Sequence, residues 1–441
     1  MKRLMIVVVL ILGIGVAAAP LVTGLVMETA VRRTCEEFNE VHEATGSGVS
    51  IELVRYDRGY LASEIEWKVL LGDLRTVYGV EEIVFVDRAR HGLTSVASET
   101  LLEANEWYSD FVHQKLAGKD PLRISTRFGL TGDFASTISL DGFSFPVEGD
   151  MVSAKPGEVR LVLAKDLKGI SAKGAWQGVS VPGKALLDGF SMKGDFDKIT
   201  TFIWEGSFSF DLEKIEITEG PDPLEVADFS SSYALTYHEE TNTLDLDFTY
   251  GLASVAGKRG PILDDATLRC GVHRMDARGY EDFMRIYMST IQSALEEAAS
   301  APRNDGRARE AVADRVNAMR VELIAAYEKL LKKGLEIRIE EFTARLPQGS
   351  VTGNLALGLK EDIALSKVVQ VAMKPSLAPK LFSLESDVRL PAGLVPDASR
   401  LTMPLFDGME TGLFLESDGR LVHRAEIRDG MLMLNGRPVL L

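Results

Sequence analysis

Cysteine is close to absent from this chain of 441 residues: only Cys35 and Cys270 occur, and their separation follows no ligand or scaffold spacing. That excludes a disulfide-stapled small domain and a cysteine-based metal cluster, leaving at most one bond between the two in an oxidising compartment. Basic charge is also short. The 49 Lys and Arg face 65 Asp and Glu, a formal net charge of −16, and no basic run is long enough to track a phosphate backbone. Nucleic acid is therefore not an expected partner, and broad adhesion to anionic headgroups is opposed. Close histidine pairs are missing too. His42, His91, His113, His238, His273 and His423 stand apart, and there is no His-Glu-x-x-His segment, no Gly-x-Ser-x-Gly elbow and no Ser-x-x-Lys. Zinc and serine hydrolases thus leave no signature here.

Long charge-free runs are equally rare, but one exists. Leu4 to Val26 carries no charge and follows Lys2 and Arg3 directly. As a helix it reaches about 34 Å, enough for a hydrocarbon core of about 30 Å. The reading is a transmembrane anchor over 4–26 with a cytoplasmic tail over 1–3. A cleaved secretory signal is the competing reading, because Ala17 and Ala19 resemble the small residues before a cut. Pro20 just after that cut, and apolar residues continuing to Val26, favour retention. Lys2 and Arg3 with the terminal amine narrowly outweigh Arg32 and Arg33, which places the expected location as single-pass inner membrane with the bulk of the chain periplasmic.

Over the whole chain, 46% hydrophobic and 26% charged residues are ordinary globular usage and agree with an ordered body behind the run. Met27, Val31, Cys35, Phe38 and Val41 recur at helical spacing up to Gly46 and Gly48, predicting a helical stalk over 27–46. A β-rich domain is expected over 47–275. It opens with a hairpin turning at Asp57-Arg58-Gly59, holds one helix near 98–117, and from Leu122 to Phe248 alternates apolar and polar residues with short glycine-bearing turns. Short connections imply antiparallel pairing, an extended meander. Residues 276–334 read as a helical hairpin: Tyr280 to Leu295 and Val312 to Leu330 are amphipathic, APRNDGR separates them, and Gly334 ends the second helix. Residues 335–441 return to strands that complete the sheet, with Asp429-Gly430 and Asn435-Gly436 bracketing Met431 to Leu434 as in a terminal hairpin. The expected class is α+β, a single transmembrane helix followed by an antiparallel sheet packed by the helical pair.

Several segments imitate active sites. Gly178 to Lys184 has the spacing of a phosphate-binding loop, but Ala185 lacks the hydroxyl for magnesium and no helix follows, so a turn between strands is expected. Ser153-x-Lys155, Ser171-x-Lys173 and Ser191-x-Lys193 place both residues on one strand face, the ordinary wet face of a sheet. Glu239-Glu240 and Asp245-x-Asp247 are weighed as acid–base or cation pairs against solvated turns and strand faces, which are the default. His91-Gly92 closes a basic cluster with Arg88 and Arg90 after the apolar Ile83 to Val86. It reads as a turn with a surface histidine, a catalytic base being the alternative. No catalytic, cofactor-binding or metal-binding residue is assigned, and no cofactor is expected.

The hairpin YDRGYLAS at 56–63, His91-Gly92 after a strand, PLRISTRFGLTG at 121–132, YALTYHEETNTLDLDFTYGLASVAG at 233–257 and the ending DGMLMLNGRP at 429–438 follow one another in an order that resembles the YdgA-like bacterial proteins, a domain-of-unknown-function family. Leu93, where proline is expected after His-Gly, and Tyr60-Leu61, where an aromatic pair is usual, depart from that pattern. The resemblance implies an inner-membrane protein with a periplasmic body in a Gram-negative bacterium, and no established activity. The function expected is a non-enzymatic envelope protein that binds an apolar ligand or a partner protein through its curved sheet. The alternative is an envelope hydrolase assembled from distant polar residues such as His91 and an acidic neighbour.

Overall fold

Side chains that alternate in polarity at every second position stabilise strands, because such strands bury one sheet face and wet the other. The computed structural model describes residues 2–45, 48–72, 79–129, 133–164, 168–220, 222–300, 324–394, 402–404 and 410–439. Strand accounts for 59% and helix for 21%, so the expected α+β class gives way to a mostly antiparallel β architecture. The chain divides into two compact units: Met1–Pro182 with Ser191–Trp204 and Met288–Asn317, and Gly183–Phe190 with Glu205–Tyr287 and Ala318–Leu441.

The first unit starts with helix α1 (Lys2–Thr45), which contains Pro20. Strands β1 (Ser50–Arg58), β2 (Ala62–Leu70), β3 (Glu82–His91) and β4 (Ser95–Leu101) follow, then helix α2 (Glu106–Lys115). Next come β5 (Leu122–Gly129), β6 (Phe134–Leu140), β7 (Phe143–Val147), β8 (Asp150–Ala154), β9 (Gly157–Leu163) and β10 (Gly169–Val181). Antiparallel pairing runs β1-β2-β3-β4-β5-β6-β9-β10, and the β7–β8 hairpin also pairs with the end of β10. The helix read over 98–117 is shorter than expected. Ser95 to Leu101 bond to β3 and β5 as a strand, and Asn105 stops the extended run by exchanging hydrogen bonds with the Val84 backbone.

The transmembrane anchor is not found: among the described residues no helix is long and apolar enough to cross a membrane. The side chains of α1 are described from Ala18 on, and from there it is a packing helix. Pro20, Thr23, Gly24 and Met27, spaced three or four apart, are buried, and Val26, Ala30 and Val31 pack on the cluster of Ile65, Ala89, Val96 and Phe128 in the sheet. Residues 27–45 are helical as their spacing predicts. They lie against the sheet rather than standing clear of it as a stalk, and Asn39 fixes them by donating to the Ile51 carbonyl at 2.8 Å and accepting from the Ile51 amide at 2.7 Å.

Strand β11 (Ala185–Lys198) contributes residues to both units. The second unit carries β12 (Trp204–Ile217), from residue 205 on, with β13 (Leu224–His238), β14 (Thr243–Gly257) and β15 (Gly260–Asp276), followed by residues 277–287 of helix α3 (Ala277–Ser300), whose remaining residues fall in the first unit. After it come β16 (Glu336–Leu346), β17 (Gly349–Leu359), helices α4 (Leu365–Met373) and α5 (Ala378–Leu381), β18 (Phe382–Pro391), β19 (Thr402–Pro404), β20 (Glu410–Gly412), β21 (Leu415–Ser417), β22 (Arg420–Arg428), β23 (Met431–Leu434) and β24 (Arg437–Val439). Pairing runs β12-β13-β14-β15-β16-β17-β18-β22-β23-β24, all antiparallel, with β21 also on β22. The domain borders expected at 275 and 335 fall inside this unit. β15 pairs with β14 on one side and β16 on the other, so the helical segment is an insertion between neighbouring strands. Asp276 caps α3 through the Gly279 amide, and Phe283 meets Tyr327 of the helical residues 324–330 at 5.0 Å between ring centres, while Lys329 bonds Asp282. Most of the second expected helix, 312–330, and its APRNDGR connection lie outside the described residues. Cys35 and Cys270 are both free.

Candidate functional site

The register of the first unit lays polar side chains in rows on the face that α1 covers. Ile65, Asp87 and Thr100 are opposed in one row; Ser63, Ala89, Ser98, Thr126 and Ser136 form the next; His91, Val96, Phe128 and Phe134 form the third. His91 is buried, not the surface histidine its turn suggests. Its Nε2 lies 2.8 Å from Ser63 Oγ and its Nδ1 3.2 Å from the Tyr60 carbonyl. Helix α1 reaches this ring at its closest point: a Cβ on Gly24 would fall 2.4 Å from His91 Cε1. Beside it Thr23 Oγ1 donates to the Pro20 and Gly92 carbonyls. A serine bonded to an imidazole is the start of a nucleophile–base pair, but the second imidazole nitrogen faces a carbonyl where a hydrolytic triad has a carboxylate. The acidic neighbour expected for His91 is not found among the described residues. With the helix backbone sealing the ring, the Ser63–His91 pair is a polar brace.

One row away, Asp87 accepts from Trp67 Nε1 at 2.8 Å and from the Thr100 hydroxyl. Burial pushes its carboxyl above the ordinary range, against the opposing pull of Thr100, Trp67 and Ser98. Trp67 stacks on Phe85 at 4.2 Å.

A second cluster lies in the other unit, at one end of β13 to β16. His238 Nε2 is 3.0 Å from Asp245 Oδ2, and His273 Nε2 is 2.8 Å from Asp247 Oδ1. Gly271 makes the second pair possible, since a Cβ there would meet His273 Nε2 at 2.7 Å. The register of β14 and β15 slips between Leu244 and Leu246; Arg274 takes φ 54° in the slip and donates its amide to Asp245 Oδ1 at 2.7 Å. Burial pushes Asp245 up, but the Arg274 amide, His238 and the nearby His273 outweigh it and hold the carboxyl below its ordinary value. Arg274 and Arg338 both reach Glu336, whose carboxyl Arg338 chiefly holds down. Two imidazoles, each oriented by a carboxylate, can exchange protons with a bound group. Among the described residues no three His, Cys, Asp or Glu are placed to hold a metal ion. Sequence reasoning singled out Asp245-x-Asp247 but missed its histidines. Period two puts the aspartates on one face, while the partners arrive from the two flanking strands.

The other imitations resolve as local structure. Residues 182–184 form a turn with Gly183 at positive φ, Glu239 and Glu240 lie exposed in the turn after β13, and Ser153 bonds Ser144 across the β7–β8 hairpin. Ser171 and Lys173 lie on β10, and Ser191 and Lys193 on β11. His42 stacks on Phe38 and His423 bonds the Leu413 carbonyl.

The second unit also carries an apolar sheet face. Register aligns Leu235, Leu246, Val272, Ile337 and Leu357 in one row, and Phe208, Tyr233, Phe248, Cys270, Ile339 and Leu355 in the next. Phe210, Ser231, Tyr250, Leu268 and Phe342 form a third. Most of these side chains are only half-buried, and Phe208, Tyr250, Ile337 and Phe342 are 36–45% exposed, more than a closed core leaves open.

Compared with known families, the whole chain, residues 1–441, matches the one described as "Bacterial protein of unknown function (DUF945)". The chain belongs to the DUF945 family. It is also similar to Protein YdgA of Escherichia coli (strain K12), 23% identical over 418 residues that cover 88% of this chain and 81% of that protein. No solved structure matches it. The match to DUF945 takes in both units, as the order of the resembling segments implies, and the family's description assigns no residue a role.

Proposed function

We propose that this DUF945 chain is a non-enzymatic binding protein of the bacterial cell envelope, whose antiparallel sheet takes an apolar ligand, a lipid chain, on the half-open face of the second unit. The observation that carries the reading is the alignment of three apolar rows across β12 to β17 with Phe208, Tyr250, Ile337 and Phe342 left partly open. Contiguous apolar surface of this kind on a folded chain marks a binding site far more often than chance exposure. Location outside the cytoplasm belongs to the same reading, supported by the charge-free run behind Lys2 and Arg3, of the kind that directs export. Native mass spectrometry of the full chain, purified gently from bacterial cells, tests it. Expected is a stoichiometric lipid-sized adduct that Tyr250→Asp with Phe342→Asp removes; a bare chain in every preparation overturns the reading.

A second reading, an envelope hydrolase, is favoured by the two His–Asp pairs of the same unit. It requires that His273→Gln abolish an activity on an ester or amide substrate while the fold persists. An unchanged variant removes it.

A further inference from the structure

Burial along the apolar face of the second unit falls away from one end. Where α3 departs, Tyr237, Leu244 and Met275 form a further row on that face, and Leu244 and Met275 are 0% and 4% exposed. Leu235 in the next row is still closed, whereas Ile337 across that row is open, as are Tyr250 and Phe342 two rows on. The helical segment begins at the closed end: the Ala277 amide donates to the Asn242 carbonyl at 3.0 Å, and Ala277 and Gly279 are buried. The face is therefore covered at its helical end and open beyond it.

Two phenols stand at this boundary. Tyr233 lies in the row after Leu235, its ring 5.3 Å from that of Phe248, and Tyr280 lies in the first turn of α3. Burial first, and the charge of the nearby Tyr280 second, push the Tyr233 hydroxyl up to about 12; burial raises Tyr280 as well. Among the described residues neither hydroxyl is hydrogen-bonded, while Tyr237 gives its own to Asn242 Oδ1 at 3.3 Å. Nor are the two sealed in: among the described residues the closed-off hydroxyls without a partner are those of Tyr56 and Ser98. A tyrosine hydroxyl in apolar surroundings ordinarily has a partner, so two open ones at one boundary call for a partner from outside.

Charge decides what kind. The three apolar rows hold no charged side chain, and the row beyond them, Leu212, Phe229, Leu252, Ala266 and Ala344, holds none either. On α3 Arg278 lies two residues before Tyr280, on the opposite side of the helix, and Asp282 is paired with Lys329 and Arg285. Glu281, next to Tyr280, opposes an anion further. An ionised head would meet no cation here among the described residues, and an unpaired charge in an apolar setting is heavily disfavoured. Phenols that stay protonated throughout the physiological range donate to an uncharged oxygen without that cost. From Tyr233 on β13 the row continues through Phe248, Cys270, Ile339 and Leu355 to β17, about 19 Å at four strand spacings, room for one long acyl chain.

We propose that this face selects a lipid whose head is an uncharged oxygen, the ester or hydroxyl of a monoacylglycerol, with Tyr233 and Tyr280 donating to that oxygen at the helical end and the acyl chain lying across β13 to β17. This choice of ligand rests on the lipid-binding reading of the same face. Native mass spectrometry of the full chain, mixed with equal amounts of monooleoylglycerol and oleate at about pH 8 where the carboxyl is ionised, tests it. The neutral lipid is expected to outcompete the anion about tenfold or more, and Tyr233→Phe/Tyr280→Phe to lower its affinity about tenfold, the worth of two ordinary hydrogen bonds. Tyr237→Phe, whose hydroxyl is already engaged, is expected to bind as the parent does. If oleate binds as tightly as monooleoylglycerol, or if the double variant keeps the parent's affinity, the proposal falls while the lipid-binding reading stands. Binding of neither lipid overturns both. The comparison of the two lipids uses the parent chain alone, so the test decides even if the double variant fails to fold.

Discussion

At Gly24 a helix backbone lies directly on an imidazole ring held by two hydrogen bonds, and this contact sets what the position tolerates. Alanine is favoured over glycine in a helix by about 1 kcal/mol, so an unconstrained Gly24→Ala would stabilise. Here the new methyl would sit 2.4 Å from His91 Cε1, and overpacking of this kind costs about 1–3 kcal/mol. Gly24→Ala is expected to lower the urea midpoint, and combining it with His91→Ala is expected to cost less than the sum of the two. An additive double variant would show that helix and ring do not touch. Asp87 makes a prediction in pH. Its native carboxyl is raised above 3.8 by burial, so its contribution to stability is fully present below 3.8 and is lost as pH rises through the raised native value. Asp87→Asn removes that titration but also one acceptor from the Trp67 and Thr100 donors. The variant's stability relative to the parent is therefore expected to improve between pH 4 and pH 7, measured by denaturant unfolding at each pH. A constant difference would place Asp87 in an unperturbed environment.

Elements show which part of the fold was legible in the sequence and why the rest was not. Both central residues at Asp429-Gly430 and Asn435-Gly436 adopt positive φ, and β23 lies between them, because such turns are specified by the dipeptide itself. Strand alternation was equally readable, being local. Helix α1 was readable as a helix but not as a cover for the sheet: an uncharged helical stripe presents the same pattern to lipid as to a β-sheet, and Gly24 gives no sign that an imidazole occupies the space above it. The His–Asp cluster stayed hidden for another reason. The slip that turns Arg274 to positive φ brings Asp245 under its amide, and a non-glycine residue at positive φ leaves no mark in the sequence. Asn39 illustrates the element scale best. Among the described residues β1 pairs only with β2, and the Asn39 amide acts as its second neighbour by both donating to and accepting from Ile51. A carboxylate cannot donate, so Asn39→Asp leaves the Ile51 carbonyl unpaired at a cost of about 1–3 kcal/mol. Faster hydrogen exchange at the amides of α1 residues 35–45 is the expected readout, and unchanged protection would mean that apolar contacts alone hold the helix end.

At the scale of the whole molecule, the two units carry separate apolar clusters. One is built on Met27, Ile65, Ala89, Val96 and Phe128, the other on Ala425, Leu434 and Val439. Units with their own cores are candidates for unfolding separately, and the tryptophans provide an unusually direct test. Trp67, Trp107 and Trp176 lie within the first unit and Trp204 at its border, at the start of β12, so indole fluorescence follows chiefly that unit, while far-UV circular dichroism follows the strands of both. Gly24→Ala weakens only the first unit's covered face. It is expected to shift the fluorescence transition to lower urea and to split the dichroism curve, whose upper part, from the second unit, keeps the parent midpoint. If both probes instead move together by the same amount, the chain unfolds as one cooperative body and the second cluster depends on the first. In that case the apolar face of β12 to β17 would unfold in the same step that releases α1, and the lipid adduct proposed for it would be expected to disappear from Gly24→Ala at the fluorescence midpoint. With independent units it persists beyond that point.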